Sequence, residues 1–142
     1  MPIVSDVRDE RGSATVEFLG LTLVLLIPVV YLMIYVSQVQ AAAFASVAAA
    51  DQAAKVVVSG TEGRSAAQAH AAVRLTLADF GIDYGAYELD LGCSAGDCVS
   101  LDPGEVVQAR VDVEVPIPLT PADWSLAPVT VGSDARQAVP RF

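Results

Sequence analysis

The stretch from Phe18 to Ala50 carries no charged side chain, and no other feature limits the possible folds of this chain so strongly. Its first part, residues 18–36, is nearly all apolar, and these nineteen residues would span roughly 28 Å as a helix. That length matches the hydrocarbon core of a bilayer, which is about 30 Å thick. A chain of 142 residues leaves room for one small domain besides. We therefore predict a single-pass membrane protein whose transmembrane segment lies at about 18–36.

The charges that flank this segment predict its orientation. Arg8 and Arg11 precede it, whereas the first positive side chain after it is Lys55. Because positive residues tend to stay in the cytoplasm, we expect residues 1–12 to be a cytoplasmic leader and the C-terminal domain to be extracytoplasmic. The alternative is a secretory signal peptide cleaved within residues 41–45, which would release the domain. The apolar run exceeds the roughly 7–15 residues of a signal core, and this favours a membrane anchor.

A short motif precedes the apolar run: residues 11–18 read RGSATVEF, and residues 39–43, further along, read VQAAA. Over about the first 55 residues the chain resembles the TadE-like family of bacterial pilus-assembly proteins, which are minor pilins or pseudopilins of tight-adherence systems. The resemblance implies that a prepilin peptidase cuts between Gly12 and Ser13, leaving Glu17 as the fifth mature residue. It also implies a pilin-like fold and a place in the bacterial cell membrane or in a surface fibre. The implied partners are membrane lipid, the peptidase, and other pilin subunits or pilus-assembly proteins.

Glu17 lies at the edge of the apolar run, where a carboxylate is close to an unfavourable apolar environment. At the centre of a membrane helix it would cost about 2.5–3.5 kcal/mol on insertion scales, and less near the interface. Cleavage after Gly12 would free an amine on Ser13 that is largely cationic at neutral pH. In a bundle of such helices this amine can pair with Glu17 of a neighbour or of its own helix. We therefore expect Glu17, with Phe18 beside it, to act in assembly; the alternative is an interfacial acid favoured by the helix dipole.

Pro28 lies in the middle of the apolar run. Because proline has no N–H to donate to the carbonyl of Val24, we expect the helix to bend or loosen there. Pilin-like proteins use such a weak point when a subunit leaves the bilayer and enters a fibre. The alternative is an ordinary membrane proline without a role in assembly.

The same helix is expected to continue beyond the membrane, so that residues 13–59 form one element that ends before Gly60. Apolar residues at three- and four-residue spacing predict its packing face: Val36, Ala43, Val47, Ala50, Ala54 and Val57. Small residues also repeat four apart, at Ala41/Ala45/Ala49 and at Ser46/Ala50/Ala54. Such surfaces let helix backbones approach closely. This half of the helix is expected to pack on its own domain, on neighbouring subunits, or on both.

Residues 60–142 are predicted to form an α+β domain that begins with a second helix. Ser65 and Gln68 match a capping box, and Gly81 is a natural C-terminal stop. The apolar stripe between these positions is Ala66, Ala69, Val73, Leu77 and Phe80. His70 lies next to the stripe and is the only histidine in the chain, so we interpret it as a helix-surface residue and not as a catalytic or metal-binding one.

Beyond Gly81 the apolar residues alternate with polar ones, which predicts strands at 84–91 and 107–115. A turn is expected at Pro103-Gly104 and a shorter strand at 127–131. Together they would form a small antiparallel sheet with one face against the helices. Trp124, in the proline-rich segment before the last strand, is expected to fill the core, and a binding aromatic is the alternative.

Cys93 and Cys98 are the only cysteines, and four residues separate them. In a segment expected outside the cytoplasm, this spacing predicts a disulfide that holds a hairpin tip. A zinc site would need two further ligands, and the neighbouring sequence does not offer them. The spacing also differs from the CxxC of a redox catalyst.

Composition and motifs exclude several function classes. The net charge of −9 argues against nucleic-acid binding, which needs a basic face. Residues 37–142 alone hold 13 acidic and 6 basic side chains. No phosphate loop, nucleophile elbow or metal motif is present, so we expect neither an enzyme nor a cofactor or metal. The favoured function is a membrane-anchored minor pilin or pseudopilin; the alternative is a tethered or secreted surface domain that binds a protein partner without forming a filament.

Overall fold

A computed structural model describes residues 13–60, 65–82, 87–94, 96, 98–118 and 128–141. The elements in chain order are α1 (Ser13–Ser59), α2 (Ser65–Asp79), β1 (Tyr87–Cys93), β2 (Val106–Val115) and β3 (Val129–Ala138). The predicted α+β layout of a long apolar helix, a second helix and a small antiparallel sheet is confirmed. The chain divides into two compact units, one ending at Val36 and one beginning at Ser37. The first unit contains the apolar part of α1, and the second contains the rest of α1, α2 and the sheet.

The sheet has the order β1-β2-β3, and both strand pairs are antiparallel. Val111, in the middle of β2, pairs with Leu89 on one side and with Ser133 on the other. The alternating residues of β2 point into the core and are at most 4% exposed: Val107, Ala109, Val111, Val113 and Val115. The period-two pattern of this strand therefore predicted its buried face correctly, because β-branched residues at every second position fill one side of the pleat.

The packing face of α1 matches the predicted one in part: Ala50, Ala54 and Val57 are buried, whereas Val36 is exposed. Val47 is 56% exposed, and Ala43 is only half-buried. The buried face within the second unit consists of small residues and one valine: Ala42, Ala45, Ser46, Ala49, Ala50, Ala53, Ala54 and Val57. The small-residue repeats thus serve packing within the chain. In this alanine-rich helix the smallest side chains mark the packing face, because they let the backbone approach the rest of the unit closely.

The second helix ends as the sequence predicts. Ile82 N–H donates to the carbonyl of Leu77 at 3.0 Å, and Gly81 N–H donates to that of Ala78 at 3.0 Å. These two bonds form a Schellman motif, which places Gly81 at a φ of 72°, a conformation that glycine adopts at little cost. Ala69, Val73 and Leu77 of the predicted stripe are buried, whereas Ala66 and Phe80 are exposed. The side chain of Ser65 lies outside the described residues, so the capping box stays a prediction.

The last strand is longer than predicted and begins later, at Val129 in place of residue 127. Its extension from Gly132 to Ala138 was missed because the inward-facing positions there carry small or polar residues. Ser133, Ala135 and Gln137 face inward and are only half-buried, so the alternation in hydrophobicity that marks a strand is weak. The turn before β2 is as predicted: Glu105 N–H donates to the carbonyl of Asp102 at 3.0 Å, with Gly104 at a φ of 96°.

Candidate functional site in the N-terminal helix and the unit that follows it

The first unit exposes almost all of its apolar side chains. Fifteen large hydrophobic residues between Val16 and Val36 are exposed, each by 44–70%. Among the described residues this is the one helix long and apolar enough to cross a membrane, and none of its most apolar window is buried within the protein. A core helix of a soluble protein would be mostly buried. An exposed apolar surface of this extent marks contact with a membrane or with other protein.

Glu17 and Phe18 lie on this exposed helix, and Phe18 is 68% exposed. Thr22 Oγ1 donates to the carbonyl of Phe18 at 2.8 Å, so this hydroxyl is satisfied within the helix, as an apolar environment requires. Glu17 is then the only charged side chain that the described part of α1 carries before Asp51. Gly12 lies outside the described residues, as does the side chain of Ser13, and the predicted cleavage site stays a prediction.

Pro28 lies inside α1, and the helix is continuous on both sides of it. Its ring leaves the carbonyl of Val24 without the usual i+4 donor. Proline at this position is a local cause for a weak point in α1, and the bend itself stays a prediction.

Asp51 ties α1 to the last strand, a contact that the sequence analysis missed. Lys55 Nζ donates to Asp51 Oδ2 at 2.6 Å, and Gln137 Nε2 donates to Asp51 Oδ1 at 3.1 Å. The hydrogen bond from Lys55 lowers the pKa of Asp51, its charge and the bond from Gln137 add to this, and burial opposes them. The spacing of four between an acid and a following lysine could have predicted the first contact. Nothing in the sequence indicates the contact with Gln137.

The outer face of the sheet carries a second ion pair. Arg110 Nε and Nη2 donate to the two carboxylate oxygens of Asp112 at 2.8 and 3.0 Å. Asp90 and Asp134 are the cross-strand neighbours of Arg110. The hydrogen bonds and charge of Asp112 raise the pKa of Arg110 above its already high value, with smaller contributions from Asp134 and Asp90. This guanidinium is thus bound by the protein's own carboxylate, and the surface around it is solvated and acidic.

The ion pair of Arg110 and Asp112 lies against Gly132 of β3, where a side chain would not fit. A Cβ built at Gly132 would overlap Asp112 Oδ1 and would lie 3.2 Å from Arg110 Nη2. A Cβ at Gly92, which is exposed on β1, would meet nothing within 4 Å. The absent side chain at Gly132 therefore lets the Asp112 carboxylate lie close over the backbone of β3.

The predicted disulfide is present, with Cys93 and Cys98 joined and their Cα atoms 5.5 Å apart. The disulfide lies at the end of β1, next to the start of β2. There Ser94 N–H donates to the carbonyl of Val106 at 3.1 Å. Val106 N–H donates in turn to Ser94 Oγ at 3.1 Å. The bridge closes the loop that follows β1, in line with a structural role at a hairpin end.

The structure places the one histidine of the chain at the surface of α2. His70 is exposed, with its Nδ1 3.5 Å from Tyr87 Oη. No group of three or more histidine, cysteine, aspartate or glutamate side chains is placed to hold a metal ion in the part of the chain that the structure describes. Trp124 lies outside that part, so its expected role in the core stays a prediction.

Comparison with models of known protein families, with curated proteins and with solved structures finds no match to this chain.

Proposed function

We propose that this protein is a minor pilin or pseudopilin of a tight-adherence type pilus system, processed after Gly12 and assembled through α1. The observation that carries the proposal is the apolar part of α1, residues 14–36, which is exposed over nearly its whole surface and has Glu17 as its only charge. The resemblance of residues 11–18 to the TadE-like motif supports the same conclusion. A plain membrane anchor would need neither the glycine nor the carboxylate.

The pairing of a new N-terminus with Glu17 supplies the specificity of assembly. Once Ser13 is the first residue, its amine and the Glu17 carboxylate carry opposite charges next to an apolar bundle. An isolated carboxylate in such an environment is unfavourable, and a partner charge removes most of that cost. Helices that slide past one another lose the pair, so the pair selects one axial stagger.

The exposed helix supports a subunit that exchanges one apolar environment for another. Lipid covers residues 18–36 while the subunit is in the membrane, and the helices of other subunits cover them in a fibre. Without a donor for the carbonyl of Val24, the helix can adjust at Pro28 during that transfer. The same side chains therefore serve as anchor and as assembly surface.

The second unit suits an extracytoplasmic position. Arg8 and Arg11 hold the leader in the cytoplasm, which exports the chain beyond the apolar segment. Disulfides persist outside the reducing cytoplasm, and Cys93–Cys98 lies in the exported part. The excess of acidic residues in this unit keeps it away from anionic headgroups and leaves α1 as the attachment to the membrane.

N-terminal sequencing of the protein from its native membrane tests the proposal. We expect Ser13 as the first residue of wild type and Met1 as the first residue of Gly12→Val, because a β-branched side chain would block the peptidase. Gly20→Val is the matched control: a side chain there meets nothing within 4 Å, and cleavage should proceed as in wild type. Met1 at the start of the wild-type protein would indicate a plain anchor. A first residue within 41–45 would indicate a secreted domain.

A further inference from the structure

The first strand of the sheet has an open outer edge. β1 pairs with β2 on one side, and it is the first strand in the order β1-β2-β3. In an antiparallel pair, the backbone groups of successive residues point alternately to the partner strand and away from it. Ser94 N–H donates to the carbonyl of Val106 in β2, so residues at two-residue steps before Ser94 face β2 as well. The N–H and C=O groups of Tyr87, Leu89 and Leu91 therefore point away from β2.

These outward-pointing groups form no hydrogen bond with the residues that the structure describes. Such an edge can accept a further strand, and proteins usually block it with proline, lysine or a bulge. β1 contains neither proline nor lysine, and its register with β2 runs from Tyr87 to Cys93 without a bulge. The backbone of β1 is therefore suited to strand addition.

The core-facing side chains of β1 are also partly open to solvent. Leu89 and Leu91 are half-buried, whereas Val111, which lies beside Leu89 on β2, is fully buried. The difference arises because β2 has a neighbouring strand on each side. On the opposite edge of the sheet, β3 has Ser133 and Gln137 among its inward-facing residues, so an added strand would cover less apolar surface there. Burial of apolar surface therefore favours addition at β1.

The outer face of the sheet beside this edge is negatively charged. Glu88 and Asp90 are exposed there on β1. Asp112 and Glu114 face the same side of β2, and the guanidinium of Arg110 is bound to Asp112. An open hollow of about 580 Å³ at the start of β1 is lined by three of these carboxylates. Positive side chains on an added strand would lie opposite Glu88 and Asp90, and opposite charges across strands attract.

We infer that the outer edge of β1 binds an extended segment of another protein in which basic residues alternate with apolar ones. The basic side chains pair with Glu88 and Asp90 on the outer face of the sheet. The apolar side chains cover Leu89 and Leu91 on the inner face, and backbone hydrogen bonds hold the segment along the edge. This interaction goes beyond the proposed function, because it depends on the second unit and requires neither cleavage nor assembly through α1.

Charge disfavours a second copy of this chain as the occupant. Two β1 edges in full antiparallel overlap would place Asp90 opposite Asp90 of the second copy, and like charges in that position are destabilising. The outer face of β3 carries Asp134 as well as Arg136, so its charges largely cancel. A segment with basic residues alone on one face meets Glu88 and Asp90 without this cost.

A synthetic peptide of four Lys-Val repeats, labelled with a fluorophore, tests the inference. Full-length protein in micelles of an uncharged detergent is added at physiological salt, and the anisotropy of the peptide is measured. We expect saturable binding, about tenfold tighter than that of a peptide in which the same lysines and valines form two blocks. Only the alternating peptide places all its charges on one face of a strand. Equal binding of the two peptides would show that net charge alone attracts them, and it would overturn the inference.

Methylation of the peptide nitrogens shows whether the peptide is added as a strand. Alternate residues of a strand point their N–H groups to the same side, so methylating either every valine or every lysine removes all donors toward β1. One methylated peptide should bind about tenfold more weakly than the parent, and the other should bind as the parent does. Which one weakens gives the direction of the added strand. Equal binding of the two methylated peptides would contradict strand addition.

Hydrogen exchange locates the peptide on the sheet. The Lys-Val peptide should slow exchange of the Leu89 and Leu91 amides, which point outward from β1. Exchange at Asp134, whose amide lies on the outer edge of β3, should stay as it is without peptide. Unchanged exchange at Leu89, or equal slowing at Asp134, would overturn the inference.

Reversal of one charge tests the pairing on the outer face. Glu88→Lys should bind the Lys-Val peptide about fivefold more weakly than wild type, and it should bind a Glu-Val peptide more tightly than wild type does. The gain for the Glu-Val peptide also shows that the variant is folded. Asp79→Lys is the matched control, because it makes the same change of charge at an exposed position on α2. Equal effects of the two variants would rule out pairing at Glu88.

A second copy at the edge of β1 would be revealed without any peptide. Exchange at Leu89 and Leu91 would then slow as the amount of wild-type protein per micelle rises, and that result would overturn the inference. We expect exchange at these two amides to be independent of the amount of protein and to slow when the Lys-Val peptide is added.

Discussion

Glu17 is the only charged side chain on the described part of α1 before Asp51, and its environment decides what it costs. Near the interface of a bilayer it keeps contact with water. In a bundle of helices it loses that contact, and the free energy then depends on a positive partner. In the processed subunit that we propose, the amine of Ser13 would be this partner, four residues before Glu17 along α1.

Replacing Glu17 with alanine is expected to raise, by about tenfold or more, the protein-to-lipid ratio at which copies associate, because the Ser13 amine loses its partner. Val16→Ala is the control, since Val16 is the 70% exposed neighbour and its truncation removes bulk without charge. Energy transfer between donor- and acceptor-labelled copies in vesicles measures both. Equal association of Glu17→Ala and wild type would contradict the assembly role.

Asp51 makes stability depend on pH in a defined direction. Its pKa is lowered in the folded chain from an ordinary value of 3.8. The stabilising contribution of Asp51 to the free energy of unfolding is therefore fully present above pH 3.8. It is lost as the pH falls through the lower pKa of the folded state. The pair with Lys55 is exposed, so we expect a contribution within about 0.2–1 kcal/mol.

Urea unfolding in detergent micelles at pH 6 and at pH 3 measures this contribution. Lys55→Met should lower the free energy of unfolding at pH 6 and have a smaller effect at pH 3. Gln52→Ala changes an exposed, non-titrating neighbour on the same helix and should keep the wild-type pH profile. A loss in Lys55→Met that is the same at both pH values would show that the pair with Asp51 does not account for it.

Two exposed glycines on the edge strands offer a matched comparison. Alanine at Gly92 should raise the free energy of unfolding by up to about 0.5–1 kcal/mol, because glycine in a strand has more freedom to lose. Alanine at Gly132 should gain less or destabilise, because its Cβ displaces the Asp112 carboxylate from Arg110. Chemical denaturation of both variants measures the difference. In an Asp112→Ala background the two glycines should respond alike, and a persisting difference would rule out this cause.

At the scale of elements, the sequence predicted helix positions better than helix faces. The end of α1 was expected before Gly60 and lies at Ser59, because this glycine interrupts an otherwise helix-forming run. Its buried face was predicted only in part: the small-residue repeats mark it, whereas the apolar spacing also selected Val36 and Val47, which are exposed.

The strands, too, were predicted only where their inward-facing residues are apolar. The core-facing positions of β2 alternate in hydrophobicity and were predicted, whereas β3 supports the sheet with Ser133 and Gln137 facing inward. Gln137 is held there by its hydrogen bond to Asp51, 86 positions earlier in the chain. A contact over such a separation leaves no local pattern in the sequence.

The disulfide element should contribute to stability through the loop that it closes. Because the loop is short, the chain-entropy model gives roughly 2 kcal/mol, and Cys93→Ser with Cys98→Ser should lose about that much free energy of unfolding. Hydrogen exchange at the Ser94–Val106 contact should quicken as well, since the loop is no longer held at the end of β1. Reductant should reproduce both effects in wild type and leave the double variant unchanged. Protection at Val106 that is unaffected in the double variant would contradict a role in holding this end of the sheet.

For the whole molecule, charge separates two kinds of surface. The second unit is acidic, with solvated carboxylates on its outer sheet face, while residues 18–36 of α1 expose an uncharged, apolar surface. Composition alone predicted this separation, and the 33 uncharged residues from Phe18 to Ala50 predicted the membrane segment.

Zero-length cross-linking tests the central claim most directly, because it requires both cleavage and pairing. A carbodiimide joins a carboxylate to an adjacent amine as an amide, and Lys55 is the only lysine in the chain. Asp51 and Lys55, 2.6 Å apart, provide an internal control that must link within one copy. In fibres or membranes that contain equal amounts of ¹⁴N and ¹⁵N protein, we predict an amide between Glu17 of one isotope and Ser13 of the other. An Asp51–Lys55 amide without any Glu17–Ser13 amide between isotopes would contradict the account.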